Sequence, residues 1–285
     1  MIITKFDNYK ILDMAHGEKV EDWNGVLLRR PDPQVIWNIE SNPDIWKKVD
    51  AYYHRSTTGG GSWDIKKVPS SWQIKYHDLV FNIKQMGFKH TGLFPEQAYN
   101  WNYVMDKISK CNRKIKVLNL FAYTGGATVA CMKAGAHVTH VDSSRGMVDW
   151  TKENVKSNNL DETMVRYIVD DVIKFVSREI RRGNKYDAII MDPPAYGRGA
   201  NGEVWDIEKD LFNLLNLCKE VLSEEPLFVL VNSYSGLSPL LLDNLLRMTI
   251  NKDGNGWISC DEIGLPIKEH NLVLPCGIYG RIDYE

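Results

Sequence analysis

The sequence predicts an α/β protein: a mostly parallel seven-stranded sheet with an antiparallel edge hairpin, preceded by a small β-rich domain. Three observations carry this. From Ile115 onward, short apolar runs alternate with helical stretches, the signature of a parallel sheet with right-handed crossovers. Before residue 87, short β-branched and aromatic segments are separated by turn signals instead. The last two runs, at 257–267 and 271–279, have no helix between them and read as a hairpin at the sheet edge. The expected boundaries are 1–86 for the β-rich domain, 87–114 for a connecting segment and helix, and 115–285 for the α/β domain.

In the first domain, strands are expected at 9–13, 19–23 and 26–30, joined at His16-Gly17 and Asn24-Gly25. An Asn-Gly pair between such runs is a strong hairpin signal. Arg30-Pro31-Asp32-Pro33 then breaks the chain. A loop at 57–61 leads into a second meander at 62–67, 72–76 and 79–84. A helix starts at Pro95, where the missing N–H of the first turn costs nothing. Six of the nine tryptophans (Trp23, Trp37, Trp46, Trp63, Trp72, Trp101) precede residue 110. Such aromatics can stack on bases, but filling the core of a small β-domain is the favoured reading for most of them.

The bulk numbers exclude several classes. A 44% hydrophobic and 25% charged chain is that of a globular protein, not a disordered or fibrous one. The net charge is -2, with 15 basic against 13 acidic residues in the first 110 and 20 against 24 thereafter, so no global positive field is present. Five scattered cysteines without a C-x-x-C pair disfavour disulfides and zinc, and point to a reduced, intracellular chain. The start MIITKFDNYKILDM lacks the apolar core of a signal peptide. No apolar run is long enough to span a membrane. A cytoplasmic protein with no membrane partner is therefore expected. The seven histidines form no H-x-x-x-H cluster, so no metal is expected, and His137 and His140 read as structural.

The α/β domain reads as strands at 115–121, 136–142, 164–169, 186–191 and 227–232, with helices at 126–134, 146–158, 172–182, 207–222 and 239–249. Ligands of such sheets bind outside the carboxyl ends of the strands. The first end, VLNLFAYTGG (117–126), has Gly125 and Gly126 for a tight turn and close backbone approach. Phe121 or Tyr123 stands where a dinucleotide fingerprint has its first glycine, so the loop suits a ligand without phosphate. The second end places Asp142 where a carboxylate can accept two ribose hydroxyls. Its alternative is a helix cap, weakened because Ser143 and Ser144 could cap instead. At the third end Asp170 and Asp171 are adjacent, one suited to an adenine amino group beside the Val172 N–H, the other to capping. The fourth end, MDPPAYGRG (191–199), presents Asp192 with Pro193 fixing the backbone and Tyr196 close behind. A carboxylate accepting from an amino group and a ring stacked on the base would grip a planar substrate. A plain turn does not explain the acid.

Residues 115–236, with VLNLFAYTGG, HVDSS, DDV, MDPPAYGRG and VNSYSG at their strand ends, resemble Rossmann-like class I S-adenosylmethionine-dependent methyltransferases. Within that class they resemble the ribosomal large-subunit RNA methyltransferases that modify cytosine C5 or guanine N7. GFKHTGLFPEQ (87–97) resembles the stretch preceding the first strand in that family, and the likeness spans roughly residues 87–280. The resemblance implies S-adenosyl-L-methionine as cofactor. Phe121, Ala122, Tyr123, Thr124 and Gly125 would hold its methionine end, Asp142 and Ser143 its ribose, and Asp171 (or Asp170) with Val172 its adenine. Thr91, Phe94 and Gln97 would fold over it, and Asp192, Pro193 and Tyr196 would serve catalysis, with Asp192 beside the transferable methyl.

There are two departures. Glu96-Gln97-Ala98 replaces the family's acid and base-contacting arginine, and Asn232-Ser233-Tyr234-Ser235 replaces the cysteine tip of the cytosine-C5 enzymes. Without a thiolate adding to C6, cytosine C5 is a poor nucleophile. A nitrogen acceptor on an RNA base, in ribosomal RNA, is the expectation. Its alternatives are a protein acceptor or a non-catalytic, cofactor-binding RNA-interaction protein. A nicotinamide oxidoreductase shares the sheet but needs the glycine fingerprint absent here.

Overall fold

The computed structural model describes residues 2–3, 5–56, 60–199, 202–234, 236–267 and 271–284, so most of the loop placed at 57–61, and Ser235, lie outside the described residues. After β1 (Ile2–Ile3), two turns order the next strands, β2 (Tyr9–Ala15), β3 (Glu18–Trp23) and β4 (Leu27–Pro31). His16 and Gly17 have φ of 58° and 75°, and Asn24 and Gly25 have 59° and 87°. Positive φ at both central residues is the type I′ geometry whose twist matches paired strands. The hairpins stand where the sequence placed them.

Next come α1 (Pro43–Lys47), β5 (Ala51–Arg55), β6 (Gly61–Ile65), β7 (Trp72–Tyr76) and β8 (Leu79–Ile83). The second meander is not one sheet: β6 pairs with β5, while β7 and β8 pair only with each other. Both α1 and β5 escaped the sequence reading because tertiary contacts define them. The buried Asp13 carboxylate accepts from the Ser41 and Asn42 N–H groups, each at 3.0 Å, and from the Trp46 indole at 2.8 Å. The tryptophans fill the interior: Trp23, Trp46 and Trp101 are buried, and the Trp37, Trp63 and Trp72 indoles donate to backbone carbonyls.

The second half follows α2 (Ala98–Ser109): β9 (Lys116–Leu120), α3 (Gly126–Lys133), β10 (His137–Asp142), α4 (Arg145–Ser157), β11 (Val165–Val169), α5 (Val172–Arg182) and β12 (Ala188–Met191). A short ribbon, β13 (Tyr196–Arg198) and β14 (Val204–Asp206), precedes α6 (Ile207–Glu220), β15 (Phe228–Ser233), α7 (Pro239–Met248), β16 (Trp257–Ile267) and β17 (Leu272–Asp283). The strand order is β11-β10-β9-β12-β15-β17-β16, parallel except that β17 runs against β15. All four residues of β12 and all six of β15 are buried, as strands covered on both faces require. From β9 the chain winds outward to β10 and β11, then crosses back to β12, so the switch point lies between β9 and β12.

Two compact units result. One holds Ile2–Tyr99 with Gly264–Cys276; the other holds Asn100–Ile263 with residues 277 onward. These limits differ from the expected 1–86, 87–114 and 115–285. The middle of the last hairpin belongs with the first unit, where Ile267 is in register with Ile11, so the hairpin is not a free sheet edge.

The first unit is built around a buried ion pair. Arg30 donates to both oxygens of Glu21, at 2.6 and 2.8 Å, and Tyr9 adds a third hydrogen bond at 2.7 Å. Burial alone would raise the Glu21 carboxyl, yet the charges of Arg30 and Lys19 hold it at about 2. Removing one partner leaves the other charge uncompensated, at about 3–5 kcal/mol. Arg30→Met should therefore lower the urea midpoint by an amount equivalent to about that energy; a midpoint unchanged within error would show that Glu21 is satisfied without it.

Candidate active site

The site starts from the backbone after β9. Phe121 (φ 52°), Tyr123 (φ 51°) and Gly125 (φ 82°) are all left-handed within five residues. For the two non-glycine residues this costs on the order of 1–3 kcal/mol each, and such strain clusters at ligand sites. A Cβ on Gly125 would stand 2.3 Å from Thr151 Cγ2, so that position admits only glycine. The loop therefore brings bare backbone to the mouth of the sheet.

A buried polar chain holds this strained loop. Asn119 donates to Thr128 Oγ1 (2.9 Å), which contacts His140 Nδ1 (2.9 Å). His140 Nε2 lies 3.3 Å from Thr151 Oγ1, whose one hydrogen is shared between the Tyr123 carbonyl at 3.2 Å and the Met147 carbonyl at 3.1 Å. Asn154 donates to the Thr124 carbonyl at 2.8 Å. Burial pushes His140 down to about 3, so the ring is neutral. One direction of donation then satisfies the whole chain: Thr128 to Nδ1, and Nε2–H to Thr151. From the sequence His140 reads as structural, in agreement with this geometry, but Asn119, Thr128, Thr151 and Asn154 are not singled out there. A signal is present in Asn119, a polar residue within the buried run of β9.

The strand ends meet at one edge. The Ala122 N–H donates to the Val141 carbonyl at 3.1 Å, Asp170 to Asp142 at 3.1 Å and Asp192 to Leu120 at 3.4 Å. Asp142 Oδ2 accepts from the Tyr123 N–H (2.9 Å) and Oδ1 from the Ser144 N–H (2.8 Å). The capping alternative is thus partly right. Ser144 occupies the N-cap of α4 without a side-chain cap bond, and Asp142 serves the turn instead. Each oxygen keeps a second lone pair, enough for a diol. Ser143 is exposed beside it.

Asp171 caps α5 by accepting the Lys174 N–H at 2.9 Å, while Asp170 pairs with Arg178. The division of roles is therefore capping for Asp171 and charge neutralisation for Asp170. Val172 opens the helix, so its N–H has no acceptor within it. Asp192 differs from all of these. It is half-buried and its carboxylate has no partner among the described residues; burial pushes it up to about 6. Pro193 is buried, and Tyr196 is 55% exposed at the start of β13.

Asn232, at the fifth strand end, accepts from Asn100, which in turn accepts from Arg281. Thr91, Phe94 and Gln97 belong to the first unit. The Thr91 hydroxyl is buried without a partner among the described residues, Phe94 contacts the His90 ring, and Gln97 ends a 3-10 turn. Among the described residues no group of three potential metal ligands occurs, and no helix is long and apolar enough to cross a membrane.

Over residues 49–246 the sequence matches the family of S-adenosylmethionine-dependent methyltransferases. The chain belongs to that family. The methyltransferase is similar throughout to the crystal structure of the SAM-dependent methyltransferase from Agrobacterium tumefaciens, with 31% identity, a TM-score of 0.94, and coverage of 100% of this chain and 94% of that one. It is 33% identical over 205 residues to ribosomal RNA large subunit methyltransferase K/L from Syntrophotalea carbinolica, covering 68% of this chain and 28% of that protein. Over 133 residues it is 33% identical to ribosomal RNA large subunit methyltransferase I from an Enterobacter species, covering 45% and 32%. The methyltransferase thus spans less than a third of either curated relative where they match.

Its cofactor is S-adenosylmethionine, and the residues fit: open loop backbone, a carboxylate with free lone pairs, a free helix N–H and an unpaired acid. Asp142→Ala removes acceptors worth about 2–3 kcal/mol. Titration calorimetry with S-adenosylhomocysteine should then show binding weakened by roughly tens of fold; an unchanged dissociation constant would remove Asp142 from the site.

The His140 geometry also predicts a pH effect. Between about pH 6.5 and 3 the unfolded histidine binds a proton that the folded one refuses. Stability is therefore full above 6.5 and declines as pH falls through that window, by up to about 1.4 kcal/mol per pH unit. His140→Gln should flatten that slope in denaturant melts run from pH 7 to 4. An identical slope in the variant would contradict a buried neutral ring.

Proposed function

We propose that this methyltransferase acts on RNA, ribosomal RNA by the names of its relatives, and delivers the methyl group to a base nitrogen. The observation that carries this is the unpaired, half-buried Asp192 at the switch point, with exposed Tyr196 four residues on. A half-buried carboxylate that accepts from no described protein group is partly desolvated without compensation, and a base amino group supplies the missing donor. Phe121–Gly125, Asp142 and Val172 would hold the cofactor, which when bound supplies a methyl group activated on a sulfonium. Asp192 accepts the amino N–H and orients the nitrogen lone pair, Tyr196 stacks on the base, and Pro193 fixes the strand end. Action on ribosomal RNA would place the protein in the cytoplasm.

The cysteines support nitrogen over carbon. Cys131 and Cys218 lie buried in α3 and α6, with burial raising both thiols. Cys260, in β16, is pushed up to about 11, and Cys276 is buried in β17. Cys111 precedes β9, at the opposite end from the mouth. The fifth strand end offers Ser233 and Tyr234, hydroxyls that stay protonated and add poorly to a pyrimidine.

The test is transfer of labelled methyl from S-adenosylmethionine to ribosomal RNA from cells lacking the gene, followed by nucleoside mass spectrometry. A methylated base nitrogen is expected. Label recovered in protein, or a cysteine-dependent covalent adduct with 5-fluorocytidine RNA, would overturn the reading. Asp192→Ala should abolish turnover while S-adenosylhomocysteine affinity stays within about threefold. Because the ionised carboxylate is the stronger acceptor, wild-type turnover should rise through about pH 6 and level off above it.

A further inference from the structure

The ribbon after Asp192 has two unlike faces. Its register pairs Tyr196 with Asp206, Gly197 with Trp205 and Arg198 with Val204. Residues directly opposite share a face, and successive residues alternate. Tyr196, Arg198, Val204 and Asp206 therefore lie together; the first three are exposed, and Asp206 is half-buried with its carboxylate neutralised by Lys209 at 2.6 Å. Trp205 lies on the other face and is 7% exposed. Opposite it stands Gly197, which adds no side chain to that face.

Trp205 touches two strand ends at once. Its indole N–H donates to the Pro194 carbonyl at 2.7 Å, inside the D-P-P tip that carries Asp192. Its ring lies 4.7 Å from that of Phe121, tilted by 59°. Phe121 is the first of the left-handed residues in the loop after β9. The Ile207 N–H, at the start of α6, donates to the Ala195 carbonyl at 3.0 Å, and Lys174 of α5 pairs with Glu203 at 2.6 Å. The ribbon is thus fastened on its inner side, with Trp205 as the member that reaches both tips.

We propose that Trp205 is a positioning residue for methyl transfer: it fixes the D-P-P tip against the Phe121 loop and turns Tyr196 and Arg198 outward to receive a nucleotide. The proposal rests on the reading that Asp192 and Tyr196 meet the acceptor. In-line transfer is sensitive to misplacement, since a shift of about 1 Å can reduce rate about a hundredfold. One indole sets the spacing through two separable contacts. The ring contact serves the cofactor loop, and the N–H contact serves the acceptor tip.

Two variants separate them. Trp205→Phe keeps a ring for Phe121 and loses the N–H. Its S-adenosylhomocysteine dissociation constant should stay within about threefold of wild type, and turnover on ribosomal RNA should fall at least tenfold. Hydrogen exchange should quicken at 192–198 and not at 121–125. Trp205→Leu loses both contacts and should weaken cofactor binding as well, with faster exchange in both segments. A Trp205→Phe enzyme within twofold of wild-type turnover, or one whose cofactor affinity falls as much as its rate, would overturn the proposal. If the wild type transfers no methyl to RNA, the RNA reading fails. The exchange and affinity measurements then decide on Trp205 alone, unchanged exchange at 192–198 counting against it.

Discussion

The site depends on holding a strained turn still. Two aromatic residues with positive φ and one glycine bend the chain from β9 into α3, and that bend is what leaves backbone open toward a ligand. The strain would relax if nothing opposed it. What opposes it is the chain of buried polar groups from Asn119 through Thr128, His140 and Thr151 to the Tyr123 carbonyl. Such a chain is stable only if every member is satisfied. A neutral His140 accepting at one nitrogen and donating at the other satisfies it, whereas a charged ring would donate to both threonines and take from the Thr128 hydroxyl its acceptor in the chain. Burial enforces that state.

The four carboxylates at the sheet edge show how one chemical group takes different roles by surroundings. Asp142 accepts two backbone N–H groups and so shapes the loop while keeping lone pairs free. Asp171 caps the start of a helix, and Asp170 is neutralised by Arg178. Asp192 alone has burial without a donor, which raises its proton affinity. Burial that nothing in the described structure offsets is a reason to look for a ligand group at that point and not at the other three.

The first unit follows the opposite logic. Its charged groups are paired: Glu21 with Arg30 and Tyr9, and Lys19 with both Glu21 and Asp32. Asp13 accepts from two backbone N–H groups and an indole. The Trp37, Trp46, Trp63 and Trp72 indoles donate to internal partners, and the Trp23 ring is buried with its N–H unpartnered among the described residues. The density of aromatics that could have marked a base-stacking surface reflects the needs of a small β-core.

Much of this was legible in the sequence. Alternating apolar runs gave the parallel sheet, the Asn24-Gly25 and His16-Gly17 pairs gave their hairpins, and the marked residues fell at strand ends because a parallel sheet gathers those ends along one edge. These are local signals, with periods of 2 or 3.6 residues or single turn dipeptides. What the sequence did not disclose is which polar groups are already satisfied. Asn119, Thr128, His140 and Thr151 meet only once the β9-α3-β10 crossover has folded and α4 has docked, and Trp205, Pro194 and Phe121 only once the chain has returned from β11 to β12. The three-residue strands of the ribbon are too short to show a period, and the five-residue α1 is held by Asp13 from far along the chain. Hydrophobic pattern is written residue by residue, so the sequence by itself determined the layers and the strand ends at which the candidate residues stand. Hydrogen-bond satisfaction is a property of the assembled neighbourhood. Only the tertiary structure could decide that Asp192, and not Asp142, is the acid left without a donor.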